Sequence, residues 1–322
     1  MGLVGTTPGD DPSPALAVSF EWPIAWLRTV EPIPKFDREV ICLQRYSTDQ
    51  ALAGGTHAFS TIKQGADPPD ALVTTSRGTV GIEATALTLQ DRRGVHGLFH
   101  QFRRELLRRE PAAFSKLVGH VVYVWFEAPD DPGLAKPHKK SDEDAVSELL
   151  TELCAYEPDS EQMRVPIRTL PEQAPPIPLA TTQAGARFFA YPFLGGVPSS
   201  MLATIAGFDV GIVHTTLITA QAGWTEIQRL VDSHDKPGVN VLLVSAGAPD
   251  QHGLVYPAEE ALATFLIDHP IGLGRQPAHI AQVILHTWVS GRATLLYPEI
   301  KPVFGPLYQS LTPQHHPLEI SG

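Results

Sequence analysis

Apolar and polar positions alternate along this chain in segments that change period several times. In the first forty residues Phe20, Trp22, Ile24 and Trp26 alternate, which predicts an extended piece that pairs at a sheet edge or packs in a groove. From Phe36 the period becomes helical: Phe36, Val40, Leu43 and Ser47 share a face, with Asp37 and Glu39 in the first turn where the helix dipole favours anions. That helix is predicted to reach about Ala53. A polar connection leads to Pro68-Pro69, and then Ala71–Thr75 reads as a strand, Ser76-Arg77-Gly78 as a three-residue hairpin loop and Thr79–Leu87 as the returning strand. Further on, the pattern predicts a helix from His96 to Lys116, a strand buried on both faces over His120–Phe126 and a helix from Ser141 to Tyr156. After them come a strand over Phe208–Leu217, a helix over Thr225–His234 and a strand over Val239–Ser245. Helices over Pro257–Ile267 and Ile280–Val289 and a last strand over Ala293–Tyr297 complete the set.

Proline divides these segments. There are thirty in 322 residues, well above the usual share of about 5%. Six fall before residue 35, so residues 1–35 read as an arm that wraps the body, and its alternation points to exchange or docking between chains, as a homodimer or with a protein partner. Another cluster lies between Glu157 and Pro192, read as an insertion with no regular element. Residues 36–322 then form a single α/β domain, a mixed central sheet flanked by helices, interrupted at about 157–192.

Composition narrows the function. With 43% hydrophobic and 18% charged residues the chain is neither disordered nor membrane-embedded. A net charge of −11 excludes a polybasic coat for nucleic acid or membrane. No signal peptide or membrane span is recognisable, so a cytoplasmic protein is expected. Cys42 and Cys154 have neither zinc nor redox spacing and are expected to be buried, inert thiols.

The chemistry concentrates in the hairpin. Asp70 opens one strand and Glu83 lies within the next, where Val80, Ile82, Ala84 and Ala86 share one face while Glu83 and Thr85 share the other. Two carboxylates so placed can converge on a hard divalent cation, Mg²⁺ or Mn²⁺. The alternative is an ordinary hairpin with one solvated polar face and an Asp70 that only caps a turn after Pro69.

A helix, then Pro69-Asp70 opening a strand, a hairpin, and Gly81-Ile82-Glu83-Ala84-Thr85 together resemble the core of the PD-(D/E)XK, or restriction-endonuclease-like, nuclease superfamily, whose core order is α-β-β-β-α-β. The likeness is to the divergent bacterial type with Ile-Glu-x-Thr in place of Glu-x-Lys. It covers about Phe36–Phe126 and, more loosely, Phe208–Ser245. The resemblance implies a metal-dependent phosphodiester hydrolase in which Asp70 and Glu83 are metal ligands and Glu39, as the family's occasional helix-borne acid, is a third. The family's lysine, which orients or deprotonates the attacking water, is here Thr85, with Lys63, Gln90 and Arg92 as nearby substitutes. A fold that has lost catalysis and serves as a binding or regulatory protein is the second reading.

A local basic segment fits a nucleic-acid substrate. Residues 91–120 hold seven Lys/Arg against three acids, and Arg103, Arg104, Arg108 and Arg109 recur on the predicted helix as a stripe suited to phosphates of DNA or RNA. Other signals are weaker. His96 and His100 have i, i+4 spacing without HExxH and read as surface histidines, His214 as a core residue, and His315-His316 as part of a Pro-flanked tail. Asp250 and His252 lie in a loop after a buried strand, where ligands bind in open α/β sheets, although a glycine-rich turn is the better account of them. GxGxxG, P-loop and GxSxG motifs are absent.

Overall fold

The computed structural model describes residues 15–21, 24–25, 32–88, 90–126, 139–158, 180–181, 186–192 and 208–307 of the 322. The chain divides into two compact units. The first comprises residues 1–17, 23–89 and 217–322, and the second residues 18–22 and 90–216.

The first unit is an α/β layer structure around a mixed seven-stranded sheet. Helix α1 (Lys35–Gly54) leads into an antiparallel meander of β3 (Thr61–Gln64), β4 (Ala71–Thr75) and β5 (Gly78–Leu87). Helix α4 (Ala220–His234) follows, then β10 (Val241–Ala246), which lies parallel to β5. A short β11 (Leu254–Val255) pairs with β2 (Ile24–Ala25), and helix α5 (Pro257–Asp268) precedes β12 (Gln282–Thr287), parallel to β10. Strands β13 (Arg292–Tyr297) and β14 (Lys301–Phe304) finish the sheet, whose order is β14-β13-β12-β10-β5-β4-β3.

Alternation explains the layers. Leu242, Val244 and Ala246 of β10 pack with Trp224, Ile227 and Val231 of α4 and Leu262 and Leu266 of α5, whereas Leu243 between them packs with Ile82, Ala84 and with Leu43 and Tyr46 of α1. Both faces are covered there, as the continuous apolar run of β10 requires. The α1 face also holds a buried polar trio: His286 Nε2 lies 2.9 Å and Arg45 Nε 3.0 Å from Asp49 Oδ2, with Asp49 and His286 fully inaccessible. His286 and Tyr46 pack as a T-shaped pair, ring centroids 5.6 Å apart.

The second unit contains a five-stranded sheet in the order β1-β9-β6-β8-β7, formed by β1 (Ala15–Glu21), β6 (His120–Trp125), β7 (Ala180–Thr181), β8 (Arg187–Pro192) and β9 (Asp209–Ile218). Helices α2 (Gln90–Leu107) and α3 (Lys139–Ala155) accompany it, and Phe99, Phe102, Phe114, Phe188 and Phe208 are its largest buried side chains. None of the helices among the described residues is long and apolar enough to cross a membrane.

Several expectations need correction. Thr75 pairs with Gly78, so the hairpin loop is the two residues Ser76-Arg77, with Gly78 at φ 120° as the first strand residue. The helix expected to reach Lys116 ends at Leu107. Pro111, which has no N–H to donate, instead starts a 3-10 segment over Pro111–Leu117. Ile280–Val289 is no helix but carries β12: Val283 and Leu285 bury themselves on one face and Ile284 on the other, a run whose apolar pattern fits strand and helix alike. Strand β8 runs through the segment read as irregular, because residues 179–191 contain no proline. Cys154 is exposed, and Cys42 is half-buried on α1, where burial pushes its thiol up to about 11. The His214 side chain, His315-His316 and residues 159–179 of the Pro-rich stretch lie outside the described residues.

Candidate metal centre

The site forms where the meander turns. Residues 65–70 make a tight turn: the Gly65 N–H donates to the Asp70 carbonyl at 2.9 Å and the Asp67 N–H to the Pro69 carbonyl at 3.2 Å. A Cβ on Gly65 would collide with that Pro69 carbonyl, so the turn needs glycine there. Asp67 takes φ 48°, a left-handed conformation that Asp tolerates better than most residues. The turn delivers Asp70 to the start of β4. Because Ala71 pairs with Ile82, Asp70 stands across from Glu83. Both are buried, 5% and 3% exposed, so the polar side of this hairpin is not a solvated face. One carboxylate oxygen each from Asp67, Asp70 and Glu83 lies within 4.8 Å of the others.

Two helices complete the corner. Lys35, the first residue of α1, places Nζ 2.8 Å from Asp70 Oδ1 and 3.3 Å from Oε1 of Glu39, one turn further along the same helix. At the end of α4, His234 Nδ1 lies 3.0 Å from Glu83 Oε2. The backbone N–H of Ala84 donates to Asp70 Oδ2 at 3.4 Å. Below, Asn240 clamps β5 to the entry of β10: its Oδ1 accepts from the Gly81 N–H at 3.1 Å and its N–H donates to the Gly81 carbonyl at 2.9 Å.

These contacts set the electrostatics. Burial pushes the Asp70 carboxyl up, but its hydrogen bonding with Glu83, Lys35 and the Ala84 N–H outweighs it and holds the group below its ordinary value. Lys35 is raised above the ordinary lysine range, chiefly by its hydrogen bond to Asp70. Glu39 goes the other way. Burial first, and then the charge of Asp70, push its carboxyl up to about 7. Carboxylates this close repel unless a proton or cation sits among them, and one ammonium offsets only one of their charges. The donor set, oxygen only and partly shielded from water, fits a hard divalent cation of the Mg²⁺ or Mn²⁺ kind.

The structure therefore brings Asp70, Glu83 and Glu39 to one corner and adds Asp67, Lys35 and His234. Thr85 is half-buried two residues beyond Glu83 on β5, and no hydrogen bond joins it to a carboxylate among the described residues. Lys63 on β3 is exposed, its backbone paired with Leu72, and makes no ion pair among the described residues. Side chains at Gln90 and Arg92 lie outside the described residues. Lys35 escaped sequence reading because it precedes the apolar stripe of its helix. The available signal was its position four residues before Glu39, at the spacing of a helical ion pair.

The remaining candidates sit elsewhere. On α2 the Arg103 guanidinium lies 5.9 Å from the Phe99 ring centre, and Glu105 pairs with both Arg104 and Arg108, at 3.5 and 2.8 Å. Arg108 and Arg109 fall in the turn after α2, so the expected helical stripe is cut short. Asp250 does turn chemistry: its Oδ1 accepts from the N–H groups of His252 at 2.8 Å and Leu254 at 3.1 Å. Comparison with protein-family models, with curated proteins and with solved structures gave no match.

Proposed function

We propose that this corner is the Mg²⁺ or Mn²⁺ site of a phosphodiester hydrolase acting on DNA or RNA. The observation that carries the reading is the convergence, with oxygens within 4.8 Å, of Asp67 in the turn on Asp70 and Glu83, the two carboxylates that the sequence resemblance singles out. Topology supports it. In the first unit the order α1, β3, β4, β5, α4, β10, with β5 parallel to β10, matches the α-β-β-β-α-β order of the PD-(D/E)XK core. The helix and strand that follow the meander in that order are α4 and β10, whereas α2 and β6, which come next in sequence, belong to the second unit.

A bound divalent cation lowers the pKa of its water and offsets charge on the phosphate. Asp70 and Glu83 would hold it, with Asp67 as a third oxygen donor. His234 orients the Glu83 carboxylate. Lys35 stands where the motif lysine is wanted, its ammonium on the ligand Asp70 but delivered from a helix instead of from position 85. It can orient an attacking water or a phosphate oxygen. Glu39, whose Oε1 lies 3.3 Å from Lys35 Nζ, can take or return a proton beside them. Separately, on the second unit, the Arg103–Arg109 segment would offer phosphate contacts that do not read sequence.

The test is cleavage of single- and double-stranded DNA and RNA with Mg²⁺ or Mn²⁺, comparing wild type with Asp70→Ala and Glu83→Ala. Metal-dependent cleavage that both variants lose is the expected result. No cleavage on any substrate, with Mn²⁺ still bound, favours the second reading, a binding or regulatory protein on a fold that has lost catalysis, for which Thr85 at the lysine position is the specific observation.

A further inference from the structure

On the α1 face of the seven-stranded sheet, away from Glu83, the helix covers only part of the strands. Helix α1 packs on the sheet through Leu43 and Tyr46, and beyond Tyr46 and Gln50 the starts of β5, β10 and β12 are left open. A cavity of about 700 Å³ results, floored by Val80, Ile82, Val241, Leu243 and Ile284. Tyr46 and Phe59 add aromatic surface. Gln50, Thr79, Asn240 and Gln282 add polar groups around that floor, and the size lies within the range of about 300–1,000 Å³ usual for small-molecule sites, whose lining pairs an apolar floor with polar groups that orient the ligand.

One charge marks the mouth. Among the described residues lining the cavity, Arg77 is the one that is ionised, and it sits at the tip of the β4–β5 hairpin. Its guanidinium is exposed and makes no ion pair among the described residues, in a chain whose net charge is −11. The hairpin tip is fixed locally: the Thr75 hydroxyl accepts from the Arg77 N–H at 3.1 Å and donates to the Gly78 carbonyl at 3.0 Å. An apolar trough with a single cation at its rim complements a molecule with an apolar body and a single anionic end.

We infer that this cavity binds a small apolar monocarboxylate, its hydrocarbon body on Val80, Val241 and Ile284 and its carboxylate on Arg77. The inference does not rest on the metal-centre reading, since none of the residues of that corner lines the cavity.

The test is isothermal titration calorimetry of the full-length protein with decanoate, 1-decanol and decyltrimethylammonium as probes. Decanoate is expected to bind about threefold more tightly than decanol, the worth of a solvent-exposed ion pair, and decyltrimethylammonium to bind more weakly than either. Shortening decanoate to octanoate is expected to weaken binding by about tenfold, as burial of two methylenes requires. Arg77→Gln, in an exposed turn, removes the preference for decanoate over decanol while leaving decanol binding unchanged. Val80→Asp abolishes binding of both, with circular dichroism to confirm that the fold is retained. Equal affinity for the three head groups, an Arg77→Gln variant that keeps the preference, or no binding of decanoate at millimolar concentration overturns the assignment.

Discussion

Lys35 Nζ lies 2.8 Å from Asp70 Oδ1, so the first residue of α1 puts its charge on the carboxylate that opens β4, thirty-five positions away. This pair gives the corner a cation that position 85, a threonine, cannot supply. If the proposed hydrolysis is right, Lys35→Met lowers the cleavage rate by about 10²-fold or more, a usual scale for losing a positioned charge or acid-base group. Mn²⁺ affinity, read by calorimetry, is retained in that variant because the three carboxylates remain. Lys63→Met leaves the rate unchanged.

Cation binding also appears as stability. Because a folded-state ligand stabilises by mass action, Mg²⁺ or Mn²⁺ at about a hundred times its dissociation constant raises the unfolding free energy by about 2.7 kcal/mol. Differential scanning calorimetry with and without the cation, and after EDTA, reads this shift. Asp70→Asn and Glu83→Gln abolish it.

Glu39 gives the metal-free protein a pH dependence of known sign. Its carboxyl rises from an ordinary value of 4.5 to about 7 on folding. Between those values the folded chain holds a proton that the unfolded chain has lost, so this group's contribution to stability declines as pH rises from 4.5 to 7. Asp70, held low, contributes in the opposite sense, and that contribution is lost only in acid. Urea denaturation across this range therefore shows a smaller decline, or none, for Glu39→Gln than for wild type.

The buried trio of Arg45, Asp49 and His286 is sensitive to losing one member. Asp49→Ala leaves Arg45 and His286 facing an empty, inaccessible position, and breaking a buried pair from one side costs about 3–5 kcal/mol. Chemical denaturation checks this. His286 Nδ1 has no hydrogen-bond partner among the described residues and its ring lies against Tyr46, so His286→Phe is milder than Asp49→Ala.

Gly81 carries a steric prediction. A Cβ there would collide with the Gly238 carbonyl and lie 3.0 Å from Pro69 Cγ. Gly81→Ala must push apart the β5–β10 entry and the turn that carries Asp70. It is expected to destabilise by about 1–3 kcal/mol, the range for overpacking, and to weaken Mn²⁺ binding as well.

What could be read from the sequence follows from how local each signal is. The mixed α/β architecture, helix α1 and the β4–β5 hairpin rest on periodicity and turn residues a few positions apart, and the structure has them. Asp70 and Glu83 were legible for the same reason, as two ends of one hairpin. Lys35 and His234 reach the corner through packing of α1 and α4, over separations of 35 and 151 residues, and no local pattern encodes that. Strand β12 was misread because Val283-Ile284-Leu285 is apolar on every side, and burial on both faces erases the period that separates strand from helix. The Cys154 error has another origin: apolar neighbours such as Leu150 and Leu153 are buried, yet the helix turns position 154 outward.

The chain leaves the first unit after residue 89 and returns at residue 217, and Lys35, Glu39, Asp67, Asp70, Glu83 and His234 all lie outside that interval. The two bodies are thus joined as a sentence and a parenthesis are, with residues 18–22 as the one earlier piece that also belongs to the second. The contacts that assemble the corner, Lys35 with Asp70 and Glu39, Ala84 with Asp70 and His234 with Glu83, are all made by residues outside the parenthesis, so the chemistry around Asp70 is spelled by the two stretches of chain that flank it.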